Sequence, residues 1–434
     1  MRGWSTHFHK FIQKNFQDSL FSLKSRCRIP GVTSPRSTYC MKILIAFNNY
    51  ADIPSGGEKN VVLAEEKLLR AHGHEVLVWE RGNAEIRDLG FWDRLAALRN
   101  STWSEELKAD AGKVLDQFKP DIFHLHNFWM RMTPSVFEAA RLRSIPAVHT
   151  LHNFRMICPG TQLMYREHPC EDCLRDGRFS RCLIRHCFLG GSRLKTFLSY
   201  RLYREIRRRR FLEGEVDAFI ALTEFSRRKF IQGGLDPRKI FVKPNFLEDP
   251  LPGVPAVSEK PGALFIGRLS AEKGIGQLLD AWRQIDYPLT VAGQGALENI
   301  LRARNVPGVT FTGGLSRPEV LRRLAECSFL IFPSVWYETF GLTLIEAMAL
   351  GKPILASNLG GRPDIIQDGV QGVLYDPFKP GALEEGIRRM ICMSPEERRQ
   401  MGRAGRERYL RDFTPEVNYR QLIEIYQKAM ATRA

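Results

Sequence analysis

The stretch Phe332-Pro333-Ser334-Val335-Trp336-Tyr337-Glu338-Thr339-Phe340-Gly341-Leu342-Thr343-Leu344-Ile345-Glu346-Ala347-Met348-Ala349-Leu350-Gly351 decides the reading of the fold. Phe329-Leu330-Ile331-Phe332 is a continuous apolar run ending at Pro333, as expected of a strand buried on both faces of a parallel sheet. A polar turn follows, and Gly341 opens a helix that runs to Leu350. Gly351 suits the residue after a helix end, and Pro353 forbids continuation.

The same alternation of short β-branched runs and longer amphipathic runs extends in both directions. Upstream, strands are expected near 43–47, 75–79, 121–125, 146–151 and 216–222. In the second block they are expected near 263–266, 288–292, 309–311, 328–332, 353–356 and 372–375. Between the blocks, Pro250, Pro252, Pro255 and Pro261 make 247–262 an extended connector. The chain thus divides into an α/β domain over 41–246, the proline-rich linker, a second α/β domain over 263–415 and a helical tail over 416–434. Two doubly wound parallel sheets joined by one linker form a cleft, with ligands expected at the carboxyl ends of the strands.

The turn-to-helix junction carries candidate binding groups. Amides of Gly341, Leu342 and Thr343 at a helix N-terminus present partial positive charge and suit a diphosphate. Glu338 precedes them and Glu346 lies about one turn in, where carboxylates can accept hydrogen bonds from hydroxyl groups. The second domain opens with Phe265-Ile266-Gly267-Arg268-Leu269-Ser270-Ala271-Glu272-Lys273-Gly274. Gly267 allows close backbone approach, and Arg268 and Lys273 offer a planar fork and a compact charge to phosphate oxygens. In the first domain Gly56-Gly57 forms a glycine turn after the first strand. Gly293-x-Gly295 follows a strand too, but Glu298 stands where a dinucleotide fingerprint needs glycine, which disfavours a nicotinamide enzyme. His124 and His126 share one face at a strand end, and His149 and His152 close the next strand.

Taken together, these motifs resemble the retaining glycosyltransferases of family 4, and the resemblance covers nearly all of 41–431. It implies the GT-B fold, two Rossmann-like domains facing a cleft. The Glu-x7-Glu motif falls on Glu338, implied to contact the donor sugar, and Glu346, implied to contact the nucleotide ribose. The Gly-Arg-Leu…Glu-Lys-Gly segment places Arg268 and Lys273 on the donor diphosphate, with the Gly56-Gly57 amides facing the same phosphates. His152 resembles the histidine beside the donor sugar, and His126 a second cleft histidine; His124 and His149 are read as structural. Family members are thought to react by front-face displacement, the leaving diphosphate helping to deprotonate the acceptor. On that reading Glu338, Arg268 and Lys273 position and stabilise. No cofactor is then required for catalysis. The implied partners are a UDP- or GDP-sugar and a glycan or lipid-linked acceptor in cell-surface polysaccharide synthesis.

The region 154–215 is an insertion with its own character. Cys170-x2-Cys173 and Cys182-x4-Cys187 can surround a structural Zn²⁺, with Cys158 as a fifth candidate. Free thiols and disulfides are the alternatives. A similar cysteine cluster occurs in some bacterial polysaccharide-type family-4 enzymes. Leu194, Phe197, Leu198, Leu202 and Ile206 then fall near helical spacing among many arginines. Such a helix either lies on an anionic membrane or packs its apolar side in the core.

Charge is concentrated, not spread. Of the net +16, residues 1–40 carry +6 and 175–210 carry +10, so the remainder sums to about zero. Residues 1–40 read as a disordered basic tail, an over-extended start ahead of Met41, or a transit peptide. No stretch approaches the roughly 18 apolar residues of a membrane span. A cytoplasmic enzyme, peripheral on the inner face of the plasma membrane, is the expected setting. An epimerase or phosphorylase on the same fold lacks its motifs here. A nucleic-acid-binding protein would need an aromatic-interleaved basic surface, which is absent.

Overall fold

The computed structural model describes residues 40–50, 57–83, 90–188, 191–209, 211–253 and 259–433. The expectations for 1–39, and the one for Gly56, lie outside these residues.

Two six-stranded parallel sheets form the body. The first is built from β1 (Lys42–Asn49), β2 (Glu75–Gly82), β3 (Ile122–Leu125), β4 (Ala147–Leu151), β5 (Ala218–Ala221) and β6 (Ile240–Val242), in the spatial order β2-β1-β3-β4-β5-β6. The second contains β7 (Ala263–Ile266), β8 (Leu289–Ala292), β9 (Val309–Gly313), β10 (Phe329–Phe332), β11 (Ile354–Ser357) and β12 (Gly372–Tyr375), ordered β9-β8-β7-β10-β11-β12. The continuous apolar runs are the strands buried on both faces: β3, β4, β5, β10 and β11 have every residue buried. Every expected strand is present. Strand β6 is an addition, a three-residue run between Pro237 and Pro244 too short to stand out by pattern.

The order of strands reverses beside β1 in one sheet and beside β7 in the other. At such switch points the loops leaving neighbouring strands diverge and open a crevice. Pairing of Ala46 with Leu125 brings the ends of β1 and β3 level. Pairing of Phe265 with Ile331 does the same for β7 and β10. The loops starting at Asn48, His126, Gly267 and Pro333 therefore leave the two sheets at their switch points.

Helices cover the sheets. Those used below are α1 (Gly57–Ala71), α2 (Arg193–Arg208), α3 (Arg317–Glu326), α4 (Leu342–Ala349) and α5 (Pro415–Ala431). The helical tail does not stay with the second domain. Leu422, Ile425, Tyr426 and Ala429 of α5 join Met41, Ile43, Ile45 and Phe47 in one apolar cluster on the first sheet. The linker's described part lies against the second domain, where Tyr409 donates to the Leu247 carbonyl (2.9 Å) and Arg406 pairs with Asp249.

Candidate functional site

The loop after β10 is held before any ligand arrives. Arg362 is fully buried and donates through Nε to Ser357 O (2.8 Å) and through Nη2 to Ser334 O (3.0 Å) and Trp336 O (3.1 Å). Three carbonyl contacts fix the turn that carries Glu338, and the Glu338 carbonyl accepts from the Gly361 amide (3.1 Å). Burial, partly offset by the nearby Glu338 charge, lowers the Arg362 pKa to about 10, which leaves it charged near neutrality.

Glu338 is itself 8 % exposed. Lys273 Nζ donates to its Oε1, and Trp336 Nε1 adds a second bond (2.8 Å). Burial opposes its ionisation, but Lys273, Arg362 and the Trp336 bond outweigh that penalty and hold the carboxyl below its usual range. Lys273 sits over the Phe332 and Trp336 rings, 5.8 and 5.2 Å from their centres. The neighbouring Arg268 is aimed by Glu272, which accepts from Arg268 Nη2 (3.0 Å) and Ser270 Oγ (2.6 Å). The Glu272 carbonyl accepts from the Val335 amide (3.0 Å), tying the Arg268–Lys273 loop to the Glu338 loop. Gly274 makes this possible: at φ +70 a β-carbon there would lie 2.1 Å from Pro333 O.

Helix α4 begins beside these loops. Gly341, with φ +103, caps it, and Gly351 follows it at φ +64. Glu346 is buried and its Oε1 accepts from Arg317 of α3. Across the cleft, α1 starts at Gly57. A β-carbon on Gly57 would sit 3.6 Å from Leu342 Cδ1, so α1 and α4 start next to each other. Helix N-termini carry partial positive charge, which is chemistry that suits an anionic group.

The histidines part company. His152 is half-buried at the end of β4, its carbonyl accepting from Thr339 Oγ1 across the domains (2.9 Å). His126 is fully buried behind it, with Nδ1 3.0 Å from His152 Nε2. The strand-end alternation that pairs His126 with His124 turns His126 into the interior. His124 is held by Tyr426 Oη and Thr150 Oγ1 (2.8 Å each), and His149 by Leu125 O (2.8 Å). On the same side, Glu58 at the start of α1 is bonded by Asn127 and Asn153, and burial raises its carboxyl above the usual range. Glu58 and Arg362 escape a sequence reading, because their partners lie far off in the chain.

In the insertion, Cys158, Cys170, Cys173, Cys182 and Cys187 are free thiols. Burial, with the neighbouring Cys158, Cys170 and Cys187, pushes Cys173 up to about 12, and similar surroundings push Cys187 up to about 11. Five adjacent sulfurs are a donor set that suits Zn²⁺. The sulfurs are not drawn to one point, however. Among the described residues the His, Cys, Asp or Glu group whose ligating atoms all lie within 4.8 Å is Glu65, His124 and His126. Helix α2 divides as follows: Leu198, Leu202 and Ile206 pack in the core, while Leu194 and Phe197 are exposed. No helix among the described residues is long and apolar enough to cross a membrane.

Residues 56–245 match the glycosyl transferase 4-like domain family, and residues 252–408 match the glycosyl transferases group 1 family. Among curated proteins, the chain is 35% identical over 148 residues to an uncharacterized glycosyltransferase of Methanocaldococcus jannaschii, covering 33% of this chain and 42% of that protein. The chain thus spans about two fifths of the length of that relative and of the next ones it matches. Among solved structures, a glycosyltransferase from Rickettsia africae superposes with a TM-score of 0.63 at 16% identity, over 90% of this chain and 99% of that one. Anabaena HepE in complex with UDP gives 0.59 at 18% identity, over 88% and 99%. The fold is therefore GT-B, with two Rossmann-like domains.

Proposed function

We propose, for a chain built from a glycosyl transferase 4-like domain and a glycosyl transferases group 1 domain, that it moves a sugar from a nucleotide-sugar to a glycan or lipid-linked acceptor with retention of configuration. The observation that carries the reading is the meeting of the α1 and α4 N-termini beside Arg268 and Lys273. A diphosphate placed there would be held by amides of Gly57, Leu342 and Thr343 and by both cations; Gly56 is the further amide the resemblance implies. Glu338 would take hydroxyl groups of the donor sugar and Glu346 those of the ribose. Each carboxylate now holds a cation, Lys273 or Arg317, and these would turn to the phosphates and nucleotide on binding. His152 would border the sugar. Retention follows from a front-face path, in which the departing diphosphate takes the acceptor proton while Lys273 and Arg268 stabilise its charge. The UDP bound to HepE makes UDP-sugars the first donors to test, ahead of GDP-sugars.

The measurement is thermal shift with UDP-, GDP- and other nucleotide-sugars on the full chain. Stabilisation by one nucleotide class at millimolar concentration is expected; no shift with any of them would sink the reading. The setting proposed is the cytoplasmic face of the plasma membrane. Arg193, Lys195 and Arg204 on the exposed side of α2 would meet anionic headgroups beside Leu194 and Phe197.

Four of Cys158, Cys170, Cys173, Cys182 and Cys187 are proposed to hold a structural Zn²⁺ that braces the insertion and takes no part in transfer. Elemental analysis of protein purified without chelator should give about one zinc per chain, lost in Cys170→Ser/Cys173→Ser. A metal-free wild type with unchanged stability would refute it.

A further inference from the structure

Behind His152 lies a row of charged and ring groups that the transfer reading leaves unused. Glu65 of α1, His126 and Lys243 are all fully buried. Lys243 Nζ donates to Glu65 Oε1 (2.5 Å) and also reaches Asn418 Oδ1 of α5 (3.2 Å). Asn418 is fixed in turn by donating to Pro244 O (2.7 Å). His126 Nε2 lies 3.2 Å from Glu65 Oε2, and His126 Nδ1 lies 3.0 Å from His152 Nε2.

We propose that Glu65 and Lys243 are positioning residues that act through His126 to hold the His152 ring in one tautomer, with its proton on Nε2 and its lone pair on Nδ1. The inference rests on the reading above that His152 borders the donor sugar. An ammonium can only donate and an ionised carboxylate can only accept. Lys243 therefore occupies Oε1 of Glu65 and leaves Oε2 to accept. The contact of Oε2 with His126 Nε2 is off the ideal N–H···O line, yet neither atom has another hydrogen-bond partner. Two buried polar atoms with no other recourse satisfy each other. Nε2 of His126 then carries a proton, its Nδ1 accepts, and the atom facing Nδ1 must donate. That atom is His152 Nε2, so the free edge of His152 is an acceptor for a sugar hydroxyl.

The charge states agree with this wiring. Burial opposes ionisation of Glu65, but the Lys243 ammonium and the hydrogen bond from His126 outweigh it and keep the carboxyl well below its usual range. Burial keeps His152 well below its usual value, so the ring is neutral near pH 7. A bound cation is the rival occupant, since Glu65, His124 and His126 bring their ligating atoms within 4.8 Å. The Lys243 ammonium on the same carboxylate repels one, and both nitrogens of His124 are already engaged by Tyr426 and Thr150.

Long-range ¹H–¹⁵N spectra of the full-length, ¹⁵N-labelled protein read the tautomer directly, with His152→Ala assigning the signal. Wild type should show the Nε2–H form alone. In Glu65→Gln the amide can donate as well as accept, so His152 should show a mixed or Nδ1–H form. With it, kcat should fall about tenfold at a donor KM within about twofold, as when the carboxylate partner of a functional histidine is lost. Glu65→Gln/Lys243→Met removes both charges together and should scramble the tautomer in a chain of near-normal stability. An Nδ1–H signal in wild type, an unchanged tautomer in both variants, or a stoichiometric metal lost on Glu65→Gln would each overturn the proposal. Full transfer by His152→Ala would instead sink the placing of His152 beside the sugar, leaving the tautomer measurement intact.

Discussion

Glu338 keeps its charge in a nearly closed position because Lys273, Arg362 and Trp336 surround it. A carboxyl whose folded value is depressed contributes stability that is present above its unfolded value and lost as pH falls through the folded one. The Glu338 contribution is thus complete above about pH 4.3 and disappears below it. Urea unfolding from pH 7 to 3 should show a steeper acid loss in wild type than in Glu338→Gln. Equal slopes would mean that Lys273 does not stabilise the ionised form. Transfer by Glu338→Gln should drop on the order of 100-fold, the size expected for a removed transition-state contact. Undiminished transfer would remove Glu338 from the mechanism. Residue-scale reading from sequence reached Glu338, Glu346, Arg268 and Lys273, because strand ends and glycines mark their loops. It missed Arg362, which acts on the Glu338 loop from farther along the chain and leaves no local pattern. The Gly293-x-Gly295 pair gains a packing reason: β-carbons there would meet Gly267 O at 1.8 Å and Leu269 O at 2.3 Å.

At the scale of elements, α2 tests how an amphipathic pattern should be read. Its period is helical, and the helix forms from Arg193 with Ser192 as N-cap. The pattern alone leaves open whether the apolar side meets protein or membrane. Leu202 is 1% exposed and Phe197 48%, so the helix buries one part of its apolar side in the protein and leaves another part exposed. Leu202→Ala should cost about 2–5 kcal/mol in chemical denaturation. Leu194→Ser/Phe197→Ser should change stability by less than about 1 kcal/mol. The double variant should nevertheless lose flotation with vesicles containing anionic phospholipid at physiological salt. Wild type that ignores such vesicles would end the membrane proposal, and the two exposed side chains would then be plain surface.

At the scale of the whole molecule, α5 binds the C-terminal end of the chain to the first domain. Tyr426 touches His124, Asn418 holds Lys243, and Arg433 pairs with Asp217 (2.8 Å). Removing 415–434 should uncover the apolar face formed by Met41, Ile43, Ile45 and Phe47. Limited proteolysis should then cut within 41–246 while 263–412 stays protected. An equally protected first domain would make α5 a passive tail. The domains also meet at the cleft floor, where the Phe225 amide donates to Asp364 Oδ2 (2.6 Å) and Tyr337 Oη to Glu171 Oε1 (2.7 Å).

Two α/β layers, the strands that deliver the site loops and the turns at Gly267–Gly274 and Pro333–Gly341 are legible in the sequence alone. These are local properties: burial on both faces writes a continuous apolar run, and glycine and proline write the turns. The tertiary structure decided which charges meet. Lys273 and Glu338 are 65 positions apart, Glu65 and Lys243 178, and His124 and Tyr426 302. Nothing in a chain's local periodicity encodes pairings at such separations. They are set by strand order and helix packing, which turned His126 inward, brought α5 back to the first sheet and placed the starts of α1 and α4 side by side.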